Sequence, residues 1–151
     1  ILAYTQDYDE MFPRGSFGRY DDFAAGAYPL GAYVYSDDAV RWDMRGSSVF
    51  PYVKNTQIFT CPSRKTETPL GCTYSLNGSI SLQSLGAVDD VSGTALIGEQ
   101  PCDDGVGHYN DGGNSIICHN GGSNVCFTDG HAKWLNKSNL EKQSLYTLAT
   151  D

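Results

Sequence analysis

The stretch HNGGSNVCFTDGHAKWL, residues 119–135, constrains this chain more than any other. Asp129-Gly130 stands between two short runs that alternate apolar and polar residues. That is the pattern of a hairpin closed by a two-residue type I′ turn, whose central residues both take positive φ. Such a turn pairs Thr128 with His131, Phe127 with Ala132 and Cys126 with Lys133. Side chains alternate across a strand, so Val125, Phe127, Ala132 and Trp134 form a core face. Asn124, Cys126, Thr128, His131 and Lys133 form the polar one. GTALIGEQ (residues 93–100) and NSIICH supply further strands, and antiparallel hairpins join the set into a β-sheet region over residues 93–135.

Helices flank that sheet. In ILAYTQDYDEMFP the apolar and aromatic residues recur at helical spacing, which predicts the end of an N-terminal helix over residues 1–12, stopped near Pro13. No capping residue precedes Ile1, so the helix reads as entered partway along. An arbitrary cut of the chain and an upstream helical segment both fit. Residues 14–48 carry glycines and aromatics without sustained period and read as loops and turns, with one helical turn around SDDAVRWDM. SVFPYVKNTQIFTCPS reads as a short helical or extended segment. Ser138 and Glu141 have capping-box spacing, and Leu140, Leu145 and Leu148 share a stripe. A short C-terminal helix over residues 138–149 follows, its stripe docked on the sheet. A chain of 151 residues holds one such α+β core, so residues 1–151 are expected to form a single domain.

Charge and cysteine usage narrow the setting. With 18 acidic against 10 basic side chains the formal charge is -8, which repels phosphate backbones and anionic lipid surfaces and excludes nucleic acid as an expected partner. No apolar run reaches the roughly 18 residues that cross a bilayer. The 17 glycines and 10 tyrosines suit a secreted β-rich or filament-forming domain. Tyrosines crowd the first quarter, where core packing, subunit contacts or sugar stacking would each use them. None of the five cysteines falls in a C-x-x-C pair, so an oxidising compartment with structural disulfides fits better than a zinc knuckle or a thioredoxin site. Cys61 with Cys72, bracketing a turn-rich loop, is the first expected bridge; Cys102 with Cys118 is the second. Cys126 is then left over, although Cys118 could choose it instead.

Three stretches could carry chemistry. His119, Cys118, Cys126 and His131 match no common zinc spacing, and Cys126 with His131 as a nucleophile and base lacks an orienting third group. The loop CDDGVGHYNDGG offers hard oxygen ligands for calcium in Asp103, Asp104 and Asp111, with Asn110 or Glu99 as further donors. Its spacing is not that of an EF-hand, and a solvated turn is the plain alternative. Asn77 and Asn136 each open an N-x-[ST] sequon.

His119, nine residues, then Asp129-Gly130 resembles the H-x9-DG signature of prepilin-processing-associated proteins, a bacterial family similar to type IV pilins and type II secretion pseudopilins. ILAYTQDYDEMFP looks like the end of that family's N-terminal helix. VFPYVKNTQIFTCPS, YSLNGS and GTALIGEQ resemble its middle and central blocks. The resemblance implies a pilin-like headgroup: an N-terminal helix packed on an antiparallel sheet, with long outward loops. It implies membrane contact only through an upstream apolar helix absent from this sequence, and it strengthens calcium, which pseudopilins use to order a comparable loop. His119, Asp129 and Gly130 are then structural, the His119 ring bonding backbone near the Asp129 turn and Asp129 accepting from neighbouring N–H groups.

The expected function is structural and non-enzymatic, without catalytic residues. The chain would be a subunit of an extracellular or periplasmic pilus-like or pseudopilus-like filament, partnered by copies of itself and by other secretion or pilus subunits. A secreted carbohydrate-binding β-rich module is the alternative, and a thiol or metal enzyme around Cys126 and the histidines the remote one.

Overall fold

The computed structural model describes residues 1–13, 32–36, 39–43, 45, 47–63, 73–99, 117 and 119–148. Its centre is a four-stranded sheet of β3 (Tyr74–Leu76), β4 (Ala95–Glu99), β5 (Gly122–Phe127) and β6 (Ala132–Asn136), in that spatial order. Every neighbour is antiparallel. A separate two-stranded hairpin joins β1 (Ala32–Ser36) to β2 (Ala39–Asp43). Both strands fall where loops and a helical turn were expected. AYVYS holds an unbroken Tyr-Val-Tyr run of strand-favouring aromatic and β-branched residues, and AVRWD alternates Val40 and Trp42 with small or charged ones, a period of two that suits a strand and not a helix.

The sheet is buried on both faces. Ala95, Val125, Phe127 and Leu135 face Leu140, Leu145 and Tyr146 of the C-terminal segment. On the other side Leu76 and Leu96 pack with Phe12, Ile80 and Val88, with Ile97 and Cys126 half-buried against them. A register shift between Ala95 and Ile97 marks a bulge in β4. A bulge places two successive side chains against one partner residue, and here Leu96 and Ile97 both join the second cluster. Val49 and Phe59 form a third cluster with Ile1, Tyr4 and Tyr74 at its margin.

The N-terminal helix α1 is shorter than its periodicity predicts, running Leu2–Asp7. Asp9 and Glu10 take φ of 50° and 60°, and the Thr5 carbonyl accepts from both Tyr8 N and Glu10 N. The chain therefore leaves the helix through left-handed residues well before Pro13. Met11 then bridges to Ser84, and Phe12, 1% exposed, donates its N–H to Gln83 O at 2.8 Å.

The C-terminal helix also breaks up. Helix α3 covers Lys137–Leu140 and a 3-10 turn covers Gln143–Leu145. Asn136, not Ser138, caps α3: its Oδ1 accepts from Asn139 N at 3.0 Å and from Ser138 Oγ at 3.1 Å. The apolar stripe still docks on the sheet as expected, with Leu140 fully buried and the Tyr146 hydroxyl donating to Leu140 O at 2.6 Å. Between β2 and β3, helix α2 (Phe50–Val53) ends on Lys54 at φ 53°, and a 3-10 turn over Thr56–Phe59 leads to Cys61.

Candidate functional site

The two halves of the H-x9-DG pattern lie at opposite ends of β5. His119 precedes the strand, Asp129-Gly130 follows it, and the six residues of β5 itself span roughly 17 Å at about 3.4 Å per step. They therefore serve separate places.

At the first end, His119 and Gly122 exchange both backbone hydrogen bonds, His119 N to Gly122 O at 3.0 Å and Gly122 N to His119 O at 3.2 Å. Asn120 and Gly121 between them have φ of 51° and 80°, the two positive values a type I′ turn requires. The tight turn expected at Asp129-Gly130 is thus found at Asn120-Gly121. The turn aims the His119 ring at two residues from distant segments. His119 Nε2 lies 2.7 Å from Glu99 Oε1 and 3.5 Å from Cys61 Sγ. It does not reach the Asp129 turn, as the sequence had suggested.

Each side chain in this cluster is held from behind. Glu99 ends β4 at 1% exposure, and Ser123 Oγ donates to its Oε2 at 2.8 Å. Cys61 N–H donates to Thr73 Oγ1 at 2.6 Å, and Trp134 Nε1–H donates to His119 O at 2.7 Å. A carboxylate this deep is tolerated only when paired and hydrogen-bonded, and it has both. Burial pushes the Cys61 thiol above its usual range; the Ser63 backbone partly offsets that, and Glu99 adds to it. Thiolate nucleophiles need the opposite environment. One imidazole nitrogen also faces both the carboxylate and the thiol, so it cannot be oriented through one edge while drawing a proton through the other. The geometry is one of three metal-donor atoms gathered within 4.8 Å of one another.

The second end is a turn of another kind. Only Gly130 has positive φ, +94°. Gly130 N donates to Phe127 O and Phe127 N to His131 O, each at 2.9 Å. This is a three-residue loop with a glycine bulge, and it moves the strand register by one. Cys126 pairs with Ala132, Val125 with Lys133 and Asn124 with Trp134. A one-residue shift exchanges the faces of β6, so Leu135 enters the core while Trp134, expected inside, is 44% exposed. His131 crosses to the Phe127 side and stacks on that ring at 4.3 Å between centroids. Cys126 and His131 therefore stand on opposite faces and cannot act together.

Asp129 behaves as a turn aspartate. Its Oδ1 accepts from His131 N at 3.0 Å and lies 2.6 Å from His131 Nδ1. Those bonds, the backbone one first, hold its carboxyl below the usual range. Leu2 of α1 packs against Gly130, its Cδ1 only 2.7 Å from where an added Cβ would stand.

Other sequence expectations resolve unevenly. Cys61 is a free thiol, so its expected bridge to Cys72 is not formed, and it turns to His119 instead. Cys72 lies outside the described residues, as do Cys102, Cys118, Asp103, Asp104, Asn110 and Asp111. Glu99, the one member of the expected calcium set inside them, is engaged by His119 and Ser123. Asn77 is fully buried, and its amide nitrogen donates to Ala95 O and Tyr146 O. That removes it as an accessible glycosylation site.

Sequence reasoning did not join Cys61 and Glu99 to His119, since they lie 58 and 20 positions away. The readable sign was an acidic residue inside the otherwise apolar run GTALIGEQ, because a carboxylate in a buried strand needs a partner.

These elements define a mixed α+β fold with an antiparallel sheet and a largely buried Cys-Glu-His cluster at one end of its central strands. The chain matches no protein-family profile, and neither a curated protein nor a solved structure matches it significantly.

Proposed function

We propose that this chain is a pilin-like or pseudopilin-like structural subunit that acts by self-association into an extracellular or periplasmic filament. The observation that carries the reading is an apolar surface at the start of α1 that is exposed among the described residues. A groove of about 260 Å³ is lined by Ile1, Val49, Val53, Ile58, Phe59 and Tyr74. Ile58 is 57% exposed at its rim. Tyr4, which borders the cluster under this groove, stacks on Tyr8 at 4.1 Å and meets Tyr52 edge-on. Tyr8 and Tyr52 are themselves exposed. A contiguous apolar and aromatic patch costs free energy in water and marks an association surface.

A second copy of the chain is the occupant this reading assigns. Repeated head-to-tail use of one patch gives an open polymer in which many modest interfaces add up. The resemblance in the H-x9-DG pattern supports the same assignment, and so does the packing of the Gly130 turn against α1, which ties the helix to the sheet as one body. The carbohydrate-module alternative has weaker support. The larger of these two clefts, about 430 Å³ between the β5–β6 turn and the C-terminal segment, has Phe127 and His131 as its ring side chains, and the two are stacked on each other with Phe127 buried. It offers a sugar no stacking platform.

Negative-stain microscopy of the complete gene product tests the proposal. Filaments with a regular subunit repeat are the expected result. Solitary particles at every concentration would overturn it.

A further inference from the structure

We propose that Cys61, Glu99 and His119 form a zinc site. The three residues come from the turn after α2, the end of β4 and the Asn120-Gly121 hairpin, yet their Sγ, Oε1 and Nε2 atoms all lie within 4.8 Å of one another. Among the described residues this is the one group of three metal-donor side chains so placed.

The spacing fits one ion. With Zn–S of about 2.3 Å and Zn–N of about 2.05 Å, two ligands on a tetrahedral centre stand about 3.5 Å apart, the separation of Cys61 Sγ from His119 Nε2. The Glu99 Oε1 to Nε2 contact of 2.7 Å must widen by about 0.6 Å to share the same ion, a small rotation of the carboxylate.

Donor chemistry selects the metal. Thiolate and imidazole suit zinc and disfavour calcium and magnesium, which take oxygen ligands. Glu99 is 1% exposed and Cys61 2%, so a thiolate beside a carboxylate would be two buried like charges, and a divalent cation removes that repulsion. Ser123 Oγ donates to Oε2, and Oε1 is the oxygen turned toward His119 Nε2. Trp134 and Thr73 fix the backbones of His119 and Cys61. Metal sites depend on such outer partners. The His119 side chain is 24% exposed, which gives the ion access from solvent and leaves a fourth position for water. On binding, the Cys61 S–H proton leaves to solvent, and the imidazole proton leaves Nε2 for Nδ1, so that Nε2 and Sγ each present a lone pair.

The test is cobalt substitution of the whole purified chain, thiols reduced and metal stripped by a chelator. Adding Co²⁺ should give a near-ultraviolet thiolate-to-cobalt band and the intense visible bands of a four-coordinate centre, and one equivalent of Zn²⁺ should bleach both. Cys61→Ser should abolish the thiolate band, Cys126→Ser should keep it, and Ser123→Ala should weaken zinc binding roughly 10-fold or more. Circular dichroism checks that each variant folds. If Cys61→Ser does not fold, His119→Gln takes its place, with loss of the visible bands expected. No bands in the native protein, bands that persist in Cys61→Ser, or visible bands unchanged in His119→Gln would each overturn the proposal.

Discussion

Glu99 is a carboxylate in an apolar strand, and its hydrogen-bond partners decide what the position tolerates. Removing a hydrogen-bond partner of a buried carboxylate leaves an unsatisfied acceptor, which costs about 1–3 kcal/mol. Since the His119 side chain is 24% exposed, water screens part of that loss. His119→Ala is therefore expected to destabilise the metal-free fold by about 1–2 kcal/mol, read as a shifted urea midpoint in chelator, while Ser123 still donates to Glu99. Tyr52 makes a second residue-level prediction. Its hydroxyl donates to Asp7 Oδ2 at 2.8 Å, and that bond, ahead of burial and nearby charge, pushes the phenol up to about 12 from the usual 10. The folded value lies above the unfolded one, so the stabilisation is complete below pH 10 and fades as pH rises from 10 to 12. Ultraviolet titration should find a tyrosine that ionises at about 12, and Asp7→Asn should return it toward 10. An unchanged late midpoint in Asp7→Asn would contradict the assignment.

At the scale of elements, turn residues decide the register of the sheet. Gly130 is the left-handed residue of the β5–β6 loop and lies against Leu2. Gly130→Ala adds both a positive-φ penalty and a contact with α1, an expected loss of about 1–2 kcal/mol measurable by thermal melting. A melting point within a degree of the native one would show that the loop relaxes freely. The strands β4, β5 and β6 were legible in the sequence because their apolar runs are bounded by turn residues. Their pairing was not, because Asp-Gly serves both a two-residue turn and the second half of a three-residue loop. Asn120-Gly121 carried the type I′ conformation that was assigned to Asp129-Gly130, and one residue of register then moved Trp134 out and Leu135 in. The helices were legible as apolar stripes but not as lengths. Left-handed Asp9 and Glu10 end α1, and Asn136 captures the start of α3, both local hydrogen-bonding choices that periodicity does not record. The Cys61, Glu99 and His119 cluster was illegible for a different reason: it is a contact between three segments, and only the fold brings them together.

For the whole molecule, one sheet carries a C-terminal cover on one face and the N-terminal segment on the other, which leaves the groove beside α1 as exposed apolar surface. Self-association would bury it, and a charge at its rim would oppose that without touching the core. Ile58, on the 3-10 turn before Cys61 and 57% exposed, is the position to change. Sedimentation velocity of the complete gene product and its Ile58→Asp variant, compared over a wide concentration range, tests the account most directly. The native chain should grow into large species as concentration rises, while Ile58→Asp stays a folded monomer. A native chain that sediments as a monomer throughout, or a variant that assembles equally well, would contradict it.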